Sequence, residues 1–247
     1  VTEQAAPPLL PLDEDWESAL AVVAHPDDLE YGAAAAIARW TAQGKRIGYV
    51  MVTSGEAGID SLEPEKCRTV RESEELASAA LVGVDVVEFL GHPDGVVEYG
   101  PRLRRDIART VRRHRPEIVI TTNFRDTYGG VFPNQADHIA VGRATLDAVR
   151  DAGNRWVFRE LTAEGHQPWG GVRQVWAAGS PDARHAVDTT DHFAAGVVSL
   201  QAHKAYLKGL GGDPANVAAF LEPMARAAGE GLGVRYASSF EVFSLRF

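Results

Sequence analysis

Four short apolar runs, each followed by a segment of helical length, constrain the fold of this chain more than any other feature. Ala19–Ala24 reads as a strand and Ala33–Gln43 as a helix ended by Gly44. The pairing recurs in Arg46–Thr53 with Glu63–Leu81, in Val84–Leu90 with Arg102–His114, and in Glu117–Thr122 with Ala136–Asp151. Within the second helix, Val70, Leu76, Ala77, Ala80 and Leu81 form an apolar stripe near the helical period. Pro116 stops the third helix, because the residue before a proline is pushed away from the helical region. Repeated strand–helix units predict an α/β fold: a Rossmann-like, mostly parallel sheet with helices on both faces, a three-layer sandwich. After residue 152 the pattern loosens. It still indicates a strand at Val172–Ala178, helices at Asp191–Lys208 and Asn216–Gly229, and a last strand at Phe240–Phe247. Residues 1–15 are expected to be a disordered arm and 16–247 a single domain.

Composition narrows the function classes. With 34 acidic and 25 basic residues the net charge is −9, which argues against nucleic acid or an anionic membrane as partner. The basic run Arg102, Arg104, Arg105, Arg109, Arg112, Arg113 and Arg115, along and just after the third helix, is offset by Asp106 and Glu117 and has no interleaved aromatic residues. It reads as a solvated face. No stretch approaches the roughly 18 apolar residues of a membrane span, and the N-terminal segment lacks the basic start of a signal peptide. A cytoplasmic protein is expected, and a homo-oligomer is left open. Cys67 is the sole cysteine, so neither a disulfide framework nor a Cys-rich zinc site can form within the chain.

The chemistry concentrates in His25-Pro26-Asp27-Asp28-Leu29-Glu30, the turn between the first strand and the first helix. Ligands commonly bind at such turns in open α/β sheets. One imidazole and three carboxylates suit a cation better than a phosphate. His25 and Asp28 can face one point, and a catalytic metal needs about three protein ligands. The best third candidate is His138, at the start of the helix after the fourth strand, because all βα turns of a parallel sheet emerge on one edge. Asp27 is then left beside the metal, placed to take a proton from a bound water. A plainer reading makes Asp27 or Asp28 a helix cap, with Glu30 completing a capping box, and Asp137 a cap for its own helix.

At these residues the chain resembles the PIG-L/LmbE-like zinc-dependent N-deacetylases, which include enzymes acting on N-acetylglucosaminyl lipids and glucosaminyl thiol precursors. The resemblance rests on Ala24-His25-Pro26-Asp27-Asp28, on Thr53–Gly58, on Arg71-x-x-Glu74, on Leu90–Gly95, on Arg115–Val119 and on Asp137-His138. It implies zinc, or another divalent transition metal, on His25, Asp28 and His138, with Asp27 as general base. It also implies a small amino-sugar substrate, with Arg71, Asp94 and Asn134 contacting it. Where the family usually carries a histidine three residues before the metal-binding one, this chain has Gln135. An amide can donate a hydrogen bond to an oxyanion but cannot supply a proton at neutral pH. His203 matches a C-terminal family histidine and is the second choice for the acid. The implied activity is removal of an N-acetyl group from an N-acetylglucosamine-type substrate. The alternatives are an amidase acting on a larger acyl amide, or a relative that binds metal and sugar without catalysis.

Overall fold

Alternation along a single strand builds both cores. In β2 (Ser18–Val23), Ala19, Ala21 and Val23 point to one face of the sheet, and Leu20 and Val22 to the other. This is the period of two that a strand buried on both sides must have. The computed structural model describes residues 8–211 and 216–245. One eight-stranded sheet runs through the molecule, in the order β1-β9-β10-β8-β5-β2-β3-β4. Its remaining strands are β1 (Leu10–Pro11), β3 (Arg46–Met51), β4 (Val86–Phe89), β5 (Ile118–Thr122), β8 (Gln174–Ala178), β9 (His185–Asp188) and β10 (Ala237–Ser244). Every pairing is parallel except those of β10, which runs antiparallel to both β8 and β9. A two-stranded hairpin, β6 (Thr127–Tyr128) with β7 (Phe132–Pro133), stands apart from the sheet.

Helices cover both faces. On one side α1 (Ala34–Ala42) and α2 (Pro64–Leu81) pack with α6 (Phe193–Gln201), which in turn meets α8 (Val217–Leu232). On the other, α3 (Pro101–His114) lies against α4 (Ala136–Gly153). Two further helices, α5 (Arg159–Ala163) and α7 (Lys204–Gly209), are short. The chain leaves β2 toward β3 and β4 on one side, whereas β5 and β8 lie on the other. The order of strands therefore reverses between β2 and β5, and the crevice above that switch point is where open α/β sheets bind ligands.

Three expectations need correction. The first fifteen residues are not all a loose arm; residues 1–7 lie outside the described part, but β1 joins the sheet beside β9. Glu14 then accepts hydrogen bonds from Arg39 and Trp40, and buried Trp16 packs edge-on against Trp40 and Trp176. A segment that anchors an aromatic cluster is part of the core. Second, Asp191–Lys208 is two helices, broken at Ala202–His203, where His203 leaves the helical region at ψ 56°. The break is stabilised from a distance: Glu74 on α2 accepts the N–H groups of Ala205 and Tyr206, which α7 cannot satisfy internally. Third, the last strand begins at Ala237 and ends at Ser244, and residues 246–247 lie outside the described part. The arginines of α3 are largely neutralised, for example by Asp151 on Arg104 and Glu88 on Arg113. Among the described residues, no helix is long and apolar enough to cross a membrane.

Candidate functional site

The turn after β2 is held open by its own backbone. Asp27 adopts φ +91°, a conformation that side chains other than glycine rarely take and that costs about 1–3 kcal/mol. Its N–H donates to Glu75 Oε2 at 3.1 Å, and Arg71 Nη2 donates to its Oδ1 at 3.1 Å and to the Pro26 carbonyl. Asp28 Oδ2 accepts the N–H groups of both Ala24 and His25 at 3.0 Å. This turns Asp28 Oδ1 outward, toward the cleft. Neither aspartate caps α1, whose N-terminus has no side-chain cap.

Three ligand atoms converge there. His138 Nε2 lies 3.0 Å from Asp28 Oδ1 and 3.2 Å from His25 Nδ1, and His25 Nδ1 lies 3.7 Å from Asp28 Oδ1. A common point sits about 2 Å from all three, the length of a Zn–N or Zn–O bond. The outer nitrogens define the tautomers. His25 Nε2 faces Asp94 Oδ1 at 3.0 Å and Asp137 Oδ2 at 3.3 Å, so it carries the proton. His138 Nδ1 faces Asn134 Oδ1 at 2.9 Å, which accepts but cannot donate, so it too carries the proton. Two imidazole lone pairs and a carboxylate oxygen are thereby aimed at one point, an arrangement that repels itself unless a cation sits among them. The same demand shows in the electrostatics. Burial alone lowers His25, yet hydrogen bonds with Asp137, Asp28 and Asp94 push it up to about 12. Burial likewise raises Asp28, but His138 and His25 outweigh it and hold the carboxyl well below its usual range. The donor set fits a divalent transition metal, and orientation of each histidine by an outer partner is how such sites are built.

These contacts reassign several residues. Asp94 fixes His25 and accepts the Ala57 N–H at 2.8 Å. Asn134 gives its amide to the carbonyls of Asn123 and Arg125 and its oxygen to His138 and the Gln135 N–H. Both hold a histidine of the cluster in place; Asp94 also lines the cleft, whereas Asn134 has both its amide and its oxygen engaged. Arg71 lines the cleft but is buried, stacked 3.7 Å from the Tyr206 ring and turned toward Asp27 and Pro26. The loop across from it is shaped to admit it: a Cβ on Gly55, which has φ +62°, would lie 2.7 Å from Arg71 Nε. Gln135 stands exposed at the cleft, preceding α4. His203 is 0% exposed and does not line the cleft. It lies 3.6 Å from Glu75 Oε2 and 3.8 Å from Glu30 Oε1, and neither ring nitrogen makes a hydrogen bond. The structure places it behind Asp27, away from the cleft, and not among the groups gathered there. Glu30 is likewise no cap; it accepts from Ser78 at 2.6 Å inside the same sealed cluster.

Sequence reading missed three contributors. Asp137, set aside as a helix cap, accepts the N–H groups of Gly95 and Val97 and abuts His25. Glu75 anchors the Asp27 backbone from α2. Tyr128, on the β6–β7 hairpin, lines the cleft with its hydroxyl 3.1 Å from His138 Nδ1, and burial together with Asp28 pushes its phenol up to about 12. Only Asp137 carried a local signal, its place beside His138. The cleft has a volume of ≈ 630 Å³, within the usual range for small-molecule sites. Asp27, buried among carboxylates, is pushed up to about 6, chiefly by burial, with Arg71 opposing and Asp28 adding to the rise.

With this geometry in view, the relatives are informative. The family model for GlcNAc-PI de-N-acetylases (PIG-L) matches residues 20–149. A diacetylchitobiose deacetylase of Thermococcus kodakarensis is 29% identical over 141 residues, covering 56% of this chain and 51% of that protein. A 1D-myo-inositol 2-acetamido-2-deoxy-alpha-D-glucopyranoside deacetylase of Thermobispora bispora is 29% identical over 182 residues, covering 61% of this chain and 55% of that protein. The match thus spans about half the length of each of these two relatives. Among solved structures, an N,N'-diacetylchitobiose deacetylase from Pyrococcus horikoshii superposes with a TM-score of 0.83 at 23% identity, covering 94% of this chain and 85% of that one. At that identity the superposition shows the fold.

Proposed function

Because this chain belongs to the PIG-L family of GlcNAc-PI de-N-acetylases, we propose that it is a zinc-dependent hydrolase that removes the N-acetyl group from an N-acetylglucosamine-type amino sugar. The observation that carries this reading is the meeting of His25 Nδ1, Asp28 Oδ1 and His138 Nε2 beside Asp27 in an open cleft. Held by those three residues, zinc would polarise the amide carbonyl and lower the pKa of a bound water toward neutrality.

Asp27 is the general base. Its Oδ1 is occupied by Arg71, which leaves Oδ2 to take the proton of the attacking water. Burial, by making the carboxylate less stable as an anion, strengthens it as a base. With His203 sealed away and Gln135 unable to donate a proton at neutral pH, Asp27 also hands the proton to the departing nitrogen. The developing oxyanion is met by two neutral donors that line the cleft, the Gln135 amide and the Tyr128 hydroxyl. Arg71 and Glu75 orient the base; Asp94, Asp137 and Asn134 orient the metal ligands.

The test is release of free amine from N-acetylglucosamine glycosides by zinc-loaded protein, with and without chelator. Chelator-sensitive amine release is expected. Absence of amine from every such glycoside, by protein shown to contain one metal per chain, would overturn the reading.

A further inference from the structure

The cleft has two unlike sides. Its floor is polar, built by His25, Asp27, Asp28, Asp94, Asn123 and His138. Its opposite wall is apolar, built by Tyr31, Leu210, Phe220 and Met224. These wall residues are open to solvent: Phe220 is 58% exposed, Leu210 58% and Met224 47%. Phe220 and Met224 stand four residues apart on α8 and so share one helical face. Val217 and Leu221 adjoin them on the same face and are buried with α6. The exposed pair therefore extends the apolar face of α8 beyond the part that packs in the core. Tyr31 closes the near end, its ring edge-on to Phe220 with centroids 5.7 Å apart.

Charge defines what this wall can hold. Among the described residues, those that α7 and α8 and Leu210 place on the cleft carry no charge. Among the described residues Arg71 is the only arginine or lysine lining it; its Nη2 is held by Asp27 and Pro26, and the side chain is buried against the Tyr206 ring. A phosphate or carboxylate on this side would meet no exposed cation among the described residues, and a polyhydroxylated group would meet few hydrogen-bonding partners. The wall also lies outside the segment matched by the family, apart from Tyr31, whereas the metal-binding floor lies inside it.

The geometry points to an apolar subsite for the aglycone. The preferred substrate is an N-acetylated amino sugar whose anomeric oxygen carries an aryl or alkyl group, seated on Phe220 and Met224 while the acetamide reaches the floor. This assignment rests on the N-deacetylase reading for its choice of sugar, and the experiment separates the two.

Turnover of methyl, hexyl and phenyl N-acetylglucosaminides and of diacetylchitobiose is compared on zinc-loaded protein. Binding of the same glycosides is measured by calorimetry, which needs no hydrolysis. The hexyl and phenyl compounds are expected to bind, and to be turned over in kcat/KM, about 10-fold or more better than the methyl glycoside and diacetylchitobiose. In Phe220→Ser and in Met224→Ser, both surface changes checked by melting temperature, the ratio of hexyl to methyl should fall at least three-fold. Equal handling of all four compounds, or a preference untouched by both substitutions, overturns the subsite and leaves the deacetylase reading standing. Tighter hexyl and phenyl binding that needs Phe220 and Met224, without amine release, keeps the subsite and overturns the deacetylase reading. A dimer that Phe220→Ser dissociates, with no aglycone preference, makes a second copy the occupant and overturns the proposal.

Discussion

Two carboxylate–histidine clusters lie back to back around the first βα turn, and they are built on opposite principles. In the outer one, His25, Asp28 and His138 face the cleft, and every remaining polar atom of the two imidazoles is satisfied by Asp94, Asp137 or Asn134. In the inner one, Glu30, Glu75 and His203 are sealed from solvent, and Glu30 Oε2, Glu75 Oε1 and both nitrogens of His203 lack hydrogen bonds. Asp27 joins the two, with its side chain beside the outer cluster and its N–H on Glu75. The comparison teaches how one turn serves both chemistry and stability. Outer partners aim lone pairs at one point; among the inner groups Glu75 fixes the strained Asp27 backbone, at the cost of crowded, poorly solvated carboxyls.

The sharpest way to break the comparison is to remove an outer ligand. His138→Ala should abolish metal binding and lower amine release by more than about 100-fold, since even outer-sphere partners are worth 10–100-fold. Metal analysis of the purified variant checks the first effect, and an amine assay the second. Asp27→Asn keeps the metal site, so metal content should stay at one per chain while kcat falls about 10²–10⁴-fold. Wild-type turnover in that variant would remove Asp27 from the chemistry. Asp94→Ala frees His25 Nε2 on one side; a chelator competition should show metal affinity weakened about 10–100-fold.

The inner cluster should respond in stability instead. His203→Ala removes the imidazole packed 3.6 Å from Glu75 and 3.8 Å from Glu30 and leaves a buried polar cavity between the two carboxyl groups. Urea unfolding should show a loss of about 3 kcal/mol with metal content unchanged. Metal lost along with stability would mean that the clusters are not separable. The smallest effect is a pH dependence. Burial, then Glu30, raise Glu75 well above its ordinary 4.5. A carboxyl raised on folding contributes its stability fully below the unfolded value and loses it as pH climbs above about 4.5 toward the folded value. Glu75→Gln can still accept the Asp27 N–H but cannot ionise. Relative to wild type, this variant should gain ground between pH 5 and pH 8, measured by urea unfolding at both. Parallel profiles would mean that Glu75 is not the buried proton carrier.

Much of this was legible before any coordinate. The strand–helix alternation gave a parallel sheet because βα units have few ways to pack, and β10 alone runs against it. His25 and Asp28 announced a cation by crowding acids into a turn where a phosphate would be repelled. His138 could be joined to them because a parallel sheet delivers its βα turns to one edge. Local reasoning did not show the contacts that Asp94 makes to His25, Asn134 to His138 and Arg71 to Asp27. Each has the chemistry of a sugar ligand, and each also holds a neighbouring side chain of the site in place. The burial of His203 was hidden for a different cause: the helix breaks at that residue and sets it beside Glu75, away from solvent.

The order of residues alone therefore specified which groups could bind a metal and on which edge of the sheet they would stand. That information is local, carried by the period of apolar positions and the composition of two turns. Tertiary structure decided what each group does. A side chain with two polar atoms is defined by where the second one is bound, and in Asp28, Asn134, Asp94 and Asp137 that partner is set by packing between segments or by the fold of the turn. It also decided that one cluster would be open and the other sealed, because only the docking of α2, α6 and α7 closes Glu30, Glu75 and His203 away from water.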